Sequence, residues 1–434
     1  MNERAKIPND LDSFWMPYTA SRWFKANPRL MGGAHGIHYV TVDGREVIDG
    51  TGGLWCCNAG HGHPRITRAI QEQAGALDFA HNFNQGHPLA FETASRLTAL
   101  APAFDHVFLT NSGSEAVDTA LKIALAYHQA NGQGERRVLV GRQKAYHGIN
   151  FGGLSVGGIG LNKGQFGTLY PAAQHMRHTM RGAFHRGMPQ DGADLADDLQ
   201  QICETYGGHT VAACIVEPVA GAGGVLPPPV GYLERLREIC DAHGILLIFD
   251  EVITGFGRLG TAFGHQYFGV TPDLVTFAKG VTNATVPMGG VFATKEIREA
   301  FTKGPDTMVD LFHGYTYSGH PLACAACIAT LDVYRDEEIF ENVAARAQDW
   351  EDMLHSFADV PRVIDVRNLG FMGAVQLEQD GAVGAAGRAA YETLFDAGLS
   401  VRPVGDSLCM SPPLTLTKSD IDRIGEIMDG VLRG

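Results

Sequence analysis

Three short segments carry side chains whose types and placement suit bond-making chemistry. Lys279 ends the apolar run Leu274-Val275-Thr276-Phe277-Ala278. A lysine pointing into such a site is costly unless its amine is neutralised, and imine formation with an aldehyde does that chemically. The plain alternative is a lysine whose stem lies on apolar surface with its ammonium in water. Asp250 follows the run Ile245–Phe249, at the carboxyl end of an expected buried strand, where open α/β sheets hold their ligands. Facing a protonated ring nitrogen there, its carboxylate would gain roughly 4 kcal/mol at about 4 Å and an effective dielectric near ~20. That attraction keeps such a ring protonated and electron-withdrawing; a turn-forming aspartate is the alternative. Thr110-Asn111-Ser112-Gly113-Ser114-Glu115 joins an expected strand to an expected helix. Free N–H groups at a helix start, flanked by small residues and hydroxyls, make a phosphate cradle, although a serine cap alone would look the same.

Other patterns carry less. Gly153-Leu154-Ser155-Val156-Gly157 matches the nucleophile elbow of serine hydrolases, but Gly158, Gly160 and Gly164 follow where a helix should start, so a glycine-rich loop is expected. Cys324-Ala325-Ala326-Cys327 has no second pair at zinc spacing and reads as packed helix residues. His61-Gly62-His63 has no carboxylate close by in sequence and reads as a turn. No G-x-G-x-x-G follows a strand and no lysine follows a glycine, so dinucleotide and Walker-type phosphate loops are not expected. No metal site is expected.

The elements that must position these residues show in the hydrophobic rhythm. His106–Thr110, Val138–Val140, Val211–Val216, Ile245–Phe249, Leu274–Phe277 and Gly290–Ala293 are short apolar runs. Their continuous hydrophobicity is what a parallel sheet covered on both faces requires. Helical spacing lies between them over Glu115–Gln129 and Tyr232–His243, the latter stopped by Gly244. This predicts a doubly wound α/β domain. After Pro321 the pattern changes to a long helix of small residues, the runs Val363–Val366 and Ala374–Leu377, a helix around Ala389–Phe395 and a last helix after Ser419. Hairpin-like pieces at Ile37–Val42 and Val47–Asp49 cannot form a core alone. The expected division is an N-terminal segment, 1–60, joining the small domain, a large domain over 61–325 and a small α+β domain over 326–434.

A chain of 434 residues is long enough for two domains. With 45% hydrophobic and 19% charged residues it has neither the polarity of disorder nor the basicity of a nucleic-acid binder, and its net charge of −14 opposes polyanion partners. The start, Met1–Phe14, has no apolar run and no later stretch reaches the ~20 apolar residues of a spanning helix. The eight cysteines are scattered through the chain, as expected of thiols in a cytoplasmic protein.

Together these segments resemble the class III family of pyridoxal-phosphate-dependent aminotransferases. FDEVITGFGRLG at 249–260 followed by PDLVTFAKG at 272–280 is close to the family's signature around its aspartate and lysine. LWCCNAGHGHP at 54–64, TNSGSE at 110–115, AYHG at 145–148, VEPVAGAGGVLPPP at 216–229 and HGYTYSGHP at 313–321 extend the match over nearly the whole chain. Trp15-Met16-Pro17-Tyr18-Thr19 is similar to the start of the ω-amino-acid:pyruvate members, among them the β-alanine enzymes. The resemblance implies fold type I, with a mainly parallel sheet in the large domain, and a homodimer or dimer of dimers with shared sites. It implies pyridoxal phosphate on Lys279, with Asp250 on its ring nitrogen. Ser112, Gly113, Ser114, Tyr146, His147, Glu217, Val252 and Thr316 are its implied neighbours, Thr316 reaching the phosphate of the adjoining subunit. Tyr18, Trp55, Phe83 and Tyr315 are implied pocket walls, the last two across the interface, and Arg402 the receiver of the substrate carboxylate.

Two departures bear on substrate. Ile253 stands where ornithine- and γ-aminobutyrate-type members carry glutamine, which favours the pyruvate-using subgroup. Cys409 stands where β-alanine:pyruvate members carry glutamine, so β-alanine, taurine and aromatic amines stay open as donors. The implied reaction is ping-pong transfer of an amino group from an amine or ω-amino acid to a keto acid, with Lys279 as general acid and base. A mutase, racemase or decarboxylase of the same fold, or a cofactor-binding regulator without turnover, are the competing readings.

Overall fold

The computed structural model describes residues 11–167, 169–182 and 184–434. The expectation about Met1–Phe14 lies, up to Asp10, outside the described residues. No helix among the described residues is long and apolar enough to cross a membrane.

The apolar runs form one seven-stranded sheet. β1 (Met31–His35), β2 (His38–Thr41) and β3 (Glu46–Asp49) precede it; β4 (His106–Thr110), β5 (Val138–Arg142), β6 (Ala173–Met176), β7 (Val211–Val216), β8 (Leu246–Asp250), β9 (Leu274–Phe277) and β10 (Gly289–Ala293) build it in the order β4-β10-β9-β8-β7-β5-β6. β5 to β9 run parallel, and every residue of β5, β7, β8 and β9 is buried. β6 was not among the expected strands, because Ala173-Gln174-His175-Met176 is too polar to stand out. β10 runs antiparallel to both β9 and β4. The segment after Phe277 has only a short 3₁₀ turn, Lys279–Thr282, before β10. A parallel return needs a crossover of roughly a dozen residues or more, commonly a helix, so the chain doubles back instead. β4 therefore points the same way as β9, and the carboxyl ends of β4, β5, β7, β8 and β9 share one edge.

Two further sheets flank this one. β11 (Val363–Leu369), β12 (Met372–Leu377), β14 (Arg402–Val404) and β15 (Ser407–Met410) form an antiparallel sheet in the order β11-β12-β15-β14. β13 (Leu399–Ser400) instead pairs in parallel with Ile48–Asp49 of β3, so the N-terminal hairpin strands complete their sheet with a strand from near the other end of the chain.

Two local expectations are corrected. Gly153–Val156 is not a loop but part of a helix, Phe151–Val156. Its glycines serve close approach: a Cβ on Gly153 would stand 2.0 Å from the His147 carbonyl oxygen. Ser155 Oγ donates to Phe151 O at 2.5 Å and accepts from Tyr170 N at 2.9 Å, so the hydroxyl is consumed inside the packing. His61 and His63 are not remote from carboxylates either. His61 Nε2 lies 2.8 Å from Asp49 Oδ2, and His63 Nε2 lies 2.9 Å from Glu337 Oε1, a partner supplied by tertiary folding.

Candidate active site

The shared edge of the sheet collects most of the expected site residues. Asp250, the last residue of β8, is 5% exposed. Its Oδ2 accepts from His147 Nδ1 at 2.8 Å, and its Oδ1 accepts from Thr276 Oγ1 and Val252 N, both at 3.2 Å. With Nδ1 committed to the carboxylate, His147 Nε2 is a buried nitrogen without a partner among the described residues. Glu217 follows β7; its Oε1 accepts from Tyr146 N at 2.9 Å and its Oε2 from Gly221 N at 3.0 Å. Burial pushes the Glu217 carboxyl above its ordinary range, the Asp250 charge adds to this and His147 opposes it. Glu217 thus ties the Tyr146–His147 segment to the loop after β7.

Lys279 begins the turn after β9 with φ +52°, and Asn283 and Ala284 at its end are also left-handed. Such conformations cost about 1–3 kcal/mol each in non-glycine residues and persist where the surroundings enforce them. Here Tyr334 Oη donates to Gly280 O at 2.6 Å, while Asn283 accepts from Ala59 N at 2.8 Å and donates to Gly60 O at 2.7 Å. Asn58 Nδ2 would stand 2.6 Å from a Cβ on Gly280, so only glycine fits between them. Burial pulls the Lys279 amine down to about 8; Cys56, Asp250 and Glu217 pull it back up and Arg402 lowers it further. Lowered basicity leaves a minor but greatly enlarged fraction of this amine neutral, and so nucleophilic, near physiological pH.

The cradle is a capped helix start. Ser112 Oγ accepts from Glu115 N at 3.2 Å at the head of Gly113–Ala130, leaving the Gly113 and Ser114 N–H groups without partners inside the helix. A Cβ on Gly113 would lie 3.1 Å from both Val252 methyls, so Val252 closes over the helix start. Ile149 N donates to Ser114 Oγ at 3.1 Å, which seats the Tyr146–Gly148 turn against the same helix end. An N–H cradle, a carboxylate backed by histidine and a buried amine of lowered basicity converge here. That set fits a cofactor bearing a phosphate, a basic ring nitrogen and an aldehyde.

Around this centre, Trp55, 3% exposed, packs in one apolar cluster with Val219, Val225, Ile253, Leu259 and Cys409. Ile253 and Cys409 therefore belong to the same apolar cluster as this tryptophan. Burial raises the Tyr146 hydroxyl to about 12, helped by its hydrogen bond with Tyr18 and opposed by Arg402. Arg402 thus acts electrically on both Tyr146 and Lys279, and Tyr18 forms an exposed rim. Phe83, Tyr315 and Thr316 lie apart from this group. Phe83 lines a cavity of about 880 Å³ with Phe91, Phe312 and Gly314. Tyr315 Oη donates to Glu115 O at 3.3 Å, and Thr316 is exposed. Thr276, Asn283 and Tyr334 were not foreseen: Thr276 could have been found from its register opposite Asp250, whereas nothing local marks Tyr334.

The aminotransferase class-III family model matches residues 20–432. An omega-aminotransferase of Caulobacter vibrioides is 54% identical over 429 residues, covering 98% of each chain. A beta-alanine–pyruvate aminotransferase of Pseudomonas aeruginosa is 45% identical over 433 residues, covering 97% of this chain and 96% of its own. Among solved structures, an amine transaminase from an uncultivated Pseudomonas species, in its PLP-bound form, superposes with a TM-score of 0.92 at 34% identity, covering 98% of this chain and 99% of its own.

Proposed function

This chain belongs to the class III aminotransferases, and from that premise we propose that it transfers the amino group of an ω-amino acid or amine to pyruvate, with pyridoxal phosphate as its cofactor. The observation that carries this reading is the pairing, on one sheet edge, of a lysine brought down to about 8 with a buried carboxylate backed by histidine. Pyridoxal phosphate, when bound, supplies an aldehyde for the amino group and a ring that draws electrons from the donor carbon.

In this proposal Lys279 removes the proton from the donor carbon and would return it to the former aldehyde carbon, two atoms away across the nitrogen, which its lowered basicity permits near neutral pH. Asp250 favours a protonated ring nitrogen, and His147 holds Asp250 in place. Ser112, Gly113 and Ser114 hold the phosphate, Tyr146 and Val252 confine the ring, and Glu217 fixes the Tyr146 turn. Arg402 receives the substrate carboxylate, and Trp55 and Tyr18 wall the entry.

A homodimer is part of the proposal. Phe91 and Phe312 are 71% and 88% exposed beside the Phe83 cavity, an apolar surface of the kind that marks an interface. Across it Thr316, Phe83 and Tyr315 would serve the neighbouring site. The pairing of β3 with β13 supports grouping residues 1–60 with the small C-terminal unit. Eight free thiols support the cytoplasm as compartment.

The test is alanine production from pyruvate with a panel of donors: β-alanine, taurine, a diamine and a neutral aryl amine. At least one donor should yield alanine, and the protein loaded with donor alone should complete a single half-reaction. No alanine from any donor, by a protein that holds the cofactor, would overturn the choice of pyruvate.

A further inference from the structure

Cys56 and Cys57 are consecutive thiols on the turn between Trp55 and Asn58, and neither is used by the amino-transfer reading. Their amides both donate to Gly52 O, at 2.8 and 2.9 Å, which curls the two residues around one carbonyl. The two Sγ atoms each lie 3.1 Å from the point where a Cβ on Gly53 would stand, so they converge on one side of the turn. Leu54 N donates to Cys56 Sγ at 3.3 Å.

Proximity and access coincide only here. Cys56 is half-buried, whereas the other seven cysteines are buried. Cys324 and Cys327 stand one turn apart on the Pro321–Asp336 helix, and Cys214 interacts with Cys240, but all four are fully enclosed. The Cys57 thiol, helped by the Leu54 amide and the Lys279 charge, pulls the Cys56 thiol down against the effect of burial, while the same contact and burial push the Cys57 thiol up, so Cys56 is the first of the pair to react. The same Cys56 charge acts on Lys279, which places the pair beside the reacting amine.

A direct bond between the two sulfurs is disfavoured. Consecutive Cα atoms are about 3.8 Å apart, below the roughly 4.4–6.8 Å that disulfides span. A larger atom bonded to both sulfurs relieves that mismatch. We propose that Cys56 and Cys57 form a dithiol site for soft trivalent electrophiles of the organoarsenical class, and that its occupation shuts the adjoining Lys279 site. With phenylarsine oxide the step is a condensation: two As–S bonds form, the two thiol protons leave with the arsenic-bound oxygen as water, and arsenic stays trivalent.

The test treats the cofactor-loaded protein with phenylarsine oxide and reads intact mass, peptide mapping and turnover. The expected result is one phenylarsenic group per chain on the peptide carrying Cys56 and Cys57. Turnover should fall in step with the adduct, and 2,3-dimercaptopropanol should restore both where 2-mercaptoethanol does not. Cys56→Ser and Cys57→Ser should each abolish the dithiol-specific adduct, and the mapping on unaltered protein decides the matter should either variant fail to fold. No adduct, an adduct on other cysteines, or an adduct that leaves turnover intact would overturn the proposal. The turnover arm rests on the proposed function and the mass arm does not, so a protein inactive toward every donor still tests the dithiol.

Discussion

Arg402 stands directly opposite Cys409 in the β14–β15 ladder, and Cys409 belongs to the apolar cluster that also holds Trp55 and Ile253. One short antiparallel pair thus joins a guanidinium-bearing strand to an apolar cluster. On the proposed function a substrate carboxylate would meet this guanidinium, whereas an uncharged substituent would gain nothing from it.

Arg402→Ala is therefore expected to sort substrates by charge. A charge-assisted contact of this type contributes roughly 1.5–3 kcal/mol, about a ten- to hundredfold change. kcat/KM for pyruvate and for ω-amino-acid donors should fall by that factor, and the half-reaction of a neutral aryl amine should change far less. Equal losses in separately measured half-reactions would make Arg402 a shaping residue.

Asp250→Asn should retain cofactor while slowing proton transfer at the donor carbon. The amide keeps the volume but loses the charge facing the ring and His147, an attraction of up to roughly 4 kcal/mol at the separations considered, or about two to three orders of magnitude in rate. Single-turnover rates with donor deuterated at the reacting carbon measure it. An unchanged rate would assign Asp250 a purely structural role.

The Lys279 amine is lowered by burial from an ordinary 10.5 to about 8. Between those values the unfolded chain binds the proton and the folded chain does not, so stability of the cofactor-free protein rises with pH across that window. Below about 8 both forms are protonated and the folded state bears the full cost of the buried charge. Urea midpoints of unaltered protein minus Lys279→Met, followed from pH 7 upward, should increase through this range. A flat difference would show that Lys279 is not desolvated.

Lys279→Ala and Thr316→Ala subunits, each inactive alone, should recover part of the activity when mixed, because one site of a mixed dimer then escapes both lesions. Mixed dimers that form yet stay at the parental level would remove Thr316 from the neighbour's site.

Much of this architecture was legible in the chain itself. Continuous apolar runs such as Val211–Val216 can be satisfied only where both faces are covered, and the residues at their ends, Asp250 and Lys279, then fall on the ligand-bearing edge for geometric reasons. Local chemistry also marked Gly244 as a stop, present as expected, and allowed a serine cap in the Thr110–Glu115 segment, which Ser112 supplies. What the chain could not show were relations between residues far apart along it. The antiparallel course of β10, the closure of the N-terminal sheet by β13, the carboxylate partners of His61 and His63, and the Tyr334 bond that enforces the left-handed Lys279 turn have no local signature. Each depends on which surfaces meet once the helices and sheets pack. Periodicity reports whether a face is buried, but the partner across it is selected by shape and hydrogen bonding in three dimensions, and only the tertiary structure decides that.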